Sequence, residues 1–388
     1  MVPNGWEKTT FGEHIDLLNG FAFKSALYSD DENDIKLLRG DNIEPNKLRW
    51  RDVKRWSKTE YESLEKYHLK ENDFIIAMDR TWITAGLKVA EVKQEDLPCL
   101  LVQRVSRIRS LPTLCQDLIK HHFSSYQFEQ YVKSVQTETA VPHISATQIK
   151  EFGLLLPPLP EQQKIAKILS TWDKAISATE RLIENSTQQK KALMQQLLTG
   201  KKRLLDDEGK RFEGEWESKT LSDIAVIKKG KALSSRHLEA GDFPVIAGGK
   251  TSPYNHSKYT HEDVITISAS GAYAGYVAYH KQKIWASDCS VVKAKIGFDL
   301  QFIYQYLLLN QIRIYSFQSG GAQPHIYPKD IEVIKIKVPD IDEQQKIATV
   351  LTNADKEIEL LEQQLADLQQ EKKALMQVLL TGKKRVVV

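Results

Sequence analysis

Apolar residues recur at heptad spacing in two stretches of the chain, and these predict two long helices. In the first, at about 161–199, Ile165, Trp172 and Leu193 take one seam position while Leu169, Ile176, Ile183 and Leu197 take the other. In the second, at about 343–381, Ile347, Ala354, Leu361, Leu368 and Leu375 alternate with Leu351, Ile358, Leu365 and Leu379. Pro160 and Glu161 suit a helix start, because proline lacks an N–H that the first turn leaves unpaired and a carboxylate favours the positive end of the dipole. Asp342 is placed to cap the second helix. Gly200 and Gly382 suit a left-handed cap, and Lys201-Lys202-Arg203 complement the negative end of the first helix. About 39 residues at 1.5 Å each make a rod of roughly 58 Å. Each seam includes one lysine, Lys190 or Lys372, of the kind that fixes register at a cost in stability. The glutamines Gln162, Gln163, Gln195 and Gln196 read as an outer polar face, wet or covered by a partner.

The two helices are copies of each other. Glu161-Gln-Gln-Lys-Ile-Ala166, Lys190-Lys-Ala-Leu-Met-Gln195 and Leu197-Leu-Thr-Gly-Lys-Lys-Arg203 recur about 182 residues later, without a gap, and roughly 25 of 43 aligned positions are identical. Ahead of the first helix the pattern changes to short strand-like runs, such as Ile35–Leu38, Asp73–Met78, Leu87–Val92 and Leu100–Ile108, separated by polar turns. A helix fits Cys115–Val135, where Leu118, His122, Tyr126 and Val132 recur at helical spacing. Short strands mixed with a few helices predict an α+β fold. The chain thus divides into a globular unit (1–158), a helix (159–203), a charged connector (204–213), a second globular unit (214–340) and a second helix (341–385). Gly214-Glu215-Trp216-Glu217 echoes Gly5-Trp6-Glu7 at an offset of about 210, so the second unit is about 28 residues shorter. Pro324-His325-Ile326 returns to the offset of about 182 from Pro142-His143-Ile144. Asp263–Gly271 resembles the strand and loop of Asp73–Arg80, and little else matches. The expectation is a pseudo-twofold chain, with the short connector favouring an antiparallel coiled coil of the two helices.

Composition narrows the function classes. No apolar run approaches the roughly 20 residues of a membrane span, and the start carries no basic-then-apolar leader pattern. Cys99, Cys115 and Cys289 are scattered and odd in number, as expected of reduced thiols in a cytoplasmic protein. A net charge of +3 is too small to argue for nucleic acid by itself. Any such contact must use local clusters, of which Lys228-Lys229-Gly230-Lys231 and Lys201-Lys202-Arg203 are candidates; each reads equally as a solvated loop.

Motifs for chemistry on the chain itself fail on inspection. Gly249-Lys250-Thr251 resembles the end of a P-loop, but Pro244 stands where its first glycine belongs and no helix start follows. Asp79, Glu91 and Lys93 have a loose nuclease-like spacing that arises readily by chance. Cys115 with His121 and His122 lacks a second half for zinc and reads as core and surface. The Asn/Asp-Pro-Pro-aromatic and Phe-x-Gly-x-Gly signatures of methyltransferases are missing.

The doubled Glu-Gln-Gln-Lys-Ile-Ala and Leu-Leu-Thr-Gly-Lys-Lys-Arg stretches, the two tryptophan openings and the two Pro-His-Ile loops together resemble the DNA-specificity (S) subunit of type I restriction-modification enzymes. The resemblance covers the whole chain. It implies a non-catalytic subunit in which the units 1–158 and 214–340 are target-recognition domains, each reading half of a bipartite double-stranded DNA site. It further implies that the helices act as spacer and as docking surface for two methyltransferase subunits. S-adenosylmethionine, ATP and magnesium would then reside on the methyltransferase and restriction/translocase subunits, with no cofactor on this chain. A rod of roughly 58 Å spans about 17 base pairs, enough to hold two readers over successive major grooves.

Base reading needs side chains on loops that reach base edges. Candidates are Asp79, Arg80, Thr81 and Trp82 in the first unit and Ser268, Ser270 and Tyr273 in the second. Lys24, Arg39, Arg104, Lys228, Lys229, Lys231, Lys250 and Lys258 are candidate phosphate or base contacts, each also explicable as a solvated residue. Gln103-Arg104 fits equally a strand edge satisfied within the fold. Two other readings stay open: a single-chain nuclease or methyltransferase, and a coiled-coil scaffold with two protein-binding domains.

Overall fold

A computed structural model describes residues 2–252, 254–321 and 323–387. They form two compact units, Met1–Thr179 with Gln364–Val388 and Glu180–Gln363, so that the division runs through both long helices. The helices span Leu159–Leu197 and Ile341–Leu379, two residues earlier at each end than the heptad pattern placed them. The early starts have local causes. The Pro158 carbonyl accepts the N–H groups of Glu161 and Gln162, at 2.9 and 3.0 Å. Asp340, rather than Asp342, caps the second helix by accepting the Glu343 N–H at 2.9 Å. Gly200 and Gly382 do take the left-handed conformation, with φ of +71° and +66°.

The first unit is built on an antiparallel sheet in the order Val89–Glu91, Phe74–Ala77, Val105–Ser110, Ile15–Asn19. A smaller sheet pairs Ile35–Leu38 in parallel with Cys99–Leu101 and antiparallel with Arg55–Trp56. A two-stranded ribbon joins Glu7–Thr10 to Gly153–Leu156. The second unit repeats every one of these sheets. Its main sheet runs Val277–His280, Val264–Ser268, Cys289–Ala294, Ala225–Lys229. Its small sheet pairs Phe243–Ile246 in parallel with Trp285–Ala286 and antiparallel with Asn255–His256, and its ribbon joins Glu217–Thr220 to Lys335–Val338. The kinship of the interiors therefore far exceeds the single strand and loop legible in the sequence. The first unit's additions are two hairpins, Ile43–Leu48 and Trp82–Leu87, and the short helical turns of Lys58–Tyr67.

The apolar stretch Cys115–Val135 is two helices, Gln116–Phe123 and Tyr126–Val135. Ser125 breaks it, because its Oγ accepts the Phe128 N–H at 3.2 Å and starts a new helix. Tyr126 consequently faces outward. His121 and His122 are both buried, His122 on the apolar face that the spacing marked.

Each unit packs the start of one long helix antiparallel against the end of the other. In the first unit Ile165 and Leu169 share a core with Phe11, Phe123, Phe128, Met376 and Leu379. In the second, Leu197, Ile347 and Leu351 share a core with Phe302 and Ile336. Trp172, Ile176, Ile183, Leu193, Ile358, Leu361, Leu365, Leu368 and Leu375 are half-buried. The seam lysines are ion-paired: Lys372 meets Asp173 in the first unit and Lys190 meets Asp355 in the second.

The repeated Glu-Gln pair at each helix start points inward, which corrects the outer-face reading of Gln162. Glu161 is 3% exposed and accepts bonds from Trp6 Nε1 (3.0 Å) and from Arg385 Nε and Nη2 (both 2.7 Å). Burial pushes the Glu161 carboxyl up, but the bonds from Arg385 and Trp6 outweigh it and hold the group below its usual range. Glu343 is fully buried and binds Trp216 Nε1 (3.1 Å) and Arg203 (2.6 Å twice) in the same way. Gln162 accepts the Cys115 N–H and donates to the Thr113 and Pro157 carbonyls; Gln344 accepts the Asp299 N–H and donates to the Pro339 carbonyl. Gln163, Gln195 and Gln196 are exposed.

Candidate nucleic-acid interface

The central buried strand of each main sheet ends in a loop stitched to the Pro-His-Ile segment by the same main-chain bonds. In the first unit, Met78 N donates to the Arg104 carbonyl (2.9 Å), Arg80 N to Pro142 (2.7 Å) and Ile144 N to Met78 (2.9 Å). In the second, Ala269 N donates to the Asp288 carbonyl (3.1 Å), Gly271 N to Pro324 (3.0 Å) and Ile326 N to Ala269 (2.9 Å). Asp79 bridges His143, and Ser270 bridges His325. Positions 79, 80, 104 and 143 thus correspond to 270, 271, 288 and 325.

The side chains on this common frame differ. In the first unit His143 Nδ1–H donates to Asp79 Oδ1 at 2.7 Å, and Arg104 Nη1 lies 3.5 Å from the same oxygen. Arg80 is exposed, and the Arg104 side chain is 62% exposed. Lys88 is close enough to be felt: burial lowers its ammonium pKa, Asp41 opposes this, and Arg80 lowers it further. The cluster is rich in cations. In the second unit Ser270 Oγ donates to the Asp288 carboxylate, and the exposed Tyr273 lies beside Lys250. The Lys250 ammonium sits 5.2 Å from the Tyr273 ring centre and 5.6 Å from that of Tyr276.

The structure gathers Asp79, Arg80 and Arg104 at one junction and Ser270, Tyr273 and Lys250 at the other. Several other candidates have partners within the fold or are buried. Thr81 is 1% exposed, with its hydroxyl donating to the Ala77 carbonyl at 2.7 Å, so it closes the turn. Trp82 packs on the helix Tyr126–Val135, donating to Glu129 at 3.2 Å beneath the Lys133 ammonium. Ser268 is buried within its strand. Arg39 bonds Asp41 at 3.1 Å, and Lys258 lies 3.6 Å from Glu239. Lys24 is exposed, as are Lys228 and Lys229 at the end of an edge strand and Lys231 over Trp285. Asp79 and Glu91 have separate partners, Glu91 pairing with Lys120 at 3.7 Å. His143, Lys88, Asp288 and Tyr276 were missed by sequence reasoning. The repeated Pro-His-Ile was a usable signal for the histidine; Lys88 and Asp288 reach their junctions only through strand pairing.

Residues 3–186 and 213–370 match the family described as type I restriction modification DNA specificity domain. The chain belongs to this family. Its relatives include the putative type I restriction enzyme MjaX specificity subunit of Methanocaldococcus jannaschii, 26% identical over 99% of this chain and 95% of that protein. Another is the type I restriction enzyme EcoAI specificity subunit of Escherichia coli, 34% identical over 47% of this chain and only 30% of that protein. The fold is shared with the S subunit of a type I restriction-modification system from M. genitalium. The TM-score is 0.65 at 18% identity, covering 97% of this chain and 96% of that one.

Proposed function

We propose that this member of the specificity family is the non-catalytic, DNA-reading subunit of a type I restriction-modification complex in the cytoplasm. Each globular unit reads one half of a bipartite duplex target. The long helices set the gap between the halves and dock two methyltransferase subunits, and restriction/translocase subunits complete the assembly. S-adenosylmethionine, ATP and magnesium act on those partners. The observation that carries this reading is one backbone frame built twice with unlike side chains at the same exposed junction, as reading two unlike half-sites requires. Family membership supports it independently.

Methylome sequencing of cells with and without this gene tests the reading. Deletion is expected to abolish methylation at one bipartite adenine motif, and restoring the gene to return it. An unchanged methylome in cells that express the partner methyltransferase contradicts the proposal.

A further inference from the structure

Resting on that reading, we propose that the side chains at the two strand-end junctions determine specificity. Arg80 and Arg104 in the first unit read a guanine; Asp288, held by Ser270, reads a base in the other half-site that offers an exocyclic amine.

The argument begins with strain. Gly271 holds φ of +80°, and its counterpart Arg80 holds +48°. The frame asks for a left-handed residue there, which glycine supplies freely and a side-chained residue supplies at a cost. Arg104 carries the same burden at +67°. Neither arginine is repaid by packing. Among the described residues the Arg80 guanidinium makes no ion pair, and Arg104 makes one long contact to Asp79. Strained, exposed and weakly bonded cations on an otherwise satisfied frame point to use outside the fold.

The chemistry of the exchange then assigns each reader. A guanidinium presents paired donors that match O6 and N7 of guanine in the major groove, whereas a carboxylate accepts from the N4 amine of cytosine or, by the same chemistry, the N6 amine of adenine. Arg104 and Asp288 occupy equivalent positions with opposite charge, so the two units cannot prefer the same base edge there. Both are steered by a neighbour from their own junction. Asp79, itself fixed by His143, lies against the Arg104 guanidinium, and the Ser270 hydroxyl donates to Asp288.

The test is methylation of a randomised duplex library by the full chain reconstituted with its methyltransferase subunits, comparing wild type with Arg80→Gly, Arg104→Gly and Asp288→Asn. The wild-type motif is expected to hold guanine at the positions that Arg80→Gly and Arg104→Gly relax by roughly tenfold or more. Asp288→Asn is expected to alter one position in the opposite half-site and leave the first half intact. Glycine at 80 reproduces the residue of the second unit, so Arg80→Gly should melt no lower than wild type, which separates lost reading from lost folding. If the variants weaken all sequences uniformly, the arginines only grip phosphate and the proposal falls. It falls equally if every motif position is unchanged. A wild-type complex with no bipartite motif would instead overturn the function proposed above.

Discussion

At the residue scale, the repeat supplies its own controls, because equivalent positions carry different side chains in the same surroundings. His121 is buried beside Asp173, and burial pushes its pKa down to about 3 against the pull of that carboxylate, with Lys372 and Lys120 lowering it further. Burial alone takes His122 to about 4. Both histidines therefore stay neutral in the fold while the unfolded chain protonates near 6.5. Their contribution is intact above about pH 6.5 and is lost as pH falls, down to about 4 for His122 and about 3 for His121. The second unit places Gln305 where the first has His121, and its amide donates to Asp355 at 2.7 Å. His121→Gln should thus remove a large part of the drop in urea midpoint between pH 7.5 and 5.0; an undiminished drop would assign the sensitivity elsewhere. His122 has a second lesson. Its Nε2 is buried without a partner among the described residues, beside a cavity of about 260 Å³ lined by Gly153, Leu154 and Leu380. The equivalent Tyr306 reaches the carbonyl of Lys335, the counterpart of Gly153, at 2.8 Å. His122→Tyr is expected to raise the melting temperature, and His122→Phe to raise it less; a tyrosine variant that melts below wild type would refute the equivalence.

At the scale of elements, periodicity located both long helices and their glycine caps, because these features are written within a few neighbouring residues. It misplaced Gln162 because a polar side chain in a heptad defaults to the wet face unless something distant recruits it. What recruits it is a backbone N–H at Cys115 and carbonyls at Thr113 and Pro157; Glu161 is recruited by Trp6 and Arg385, more than a hundred residues away on either side. The same distance hid the role of the basic tail Lys201-Lys202-Arg203. Its lysines are exposed, while its arginine closes on a fully buried carboxylate. Leaving such a carboxylate without its cation is costly. Arg203→Ala should accordingly lower the unfolding midpoint by several degrees and Lys202→Ala hardly at all; equal effects in calorimetry would show that the pair does not hold the unit.

At the scale of the whole molecule, the duplication was legible from the helices, but the likeness of the two interiors was not. Strand pairing is made by main chain and by buried residues of interchangeable apolar type, so two units keep one topology while their identities drift apart. The strand-end junctions keep their main-chain bonds while their side chains differ, which is why Asp288 could not be matched to Arg104 from the sequence. The spacer role predicts the effect of lengthening the helices. Seven residues added after Thr179 and seven after Gln363 preserve the heptad phase and leave the Asp173–Lys372 and Lys190–Asp355 pairs intact. The extension of about 10 Å should widen the unspecified gap of the methylated motif by up to about three base pairs; full methylation with the old gap would rule that role out. The clamps at the helix starts have one more consequence, and it is genetic. Glu161 is closed by the tail of the later repeat and Glu343 by the tail of the earlier one, with the same residues on both sides of each bond. A crossover between genes inside this shared stretch therefore joins a foreign reading unit to a tail that already fits it, so new target combinations can be inherited without any adjustment to the frame.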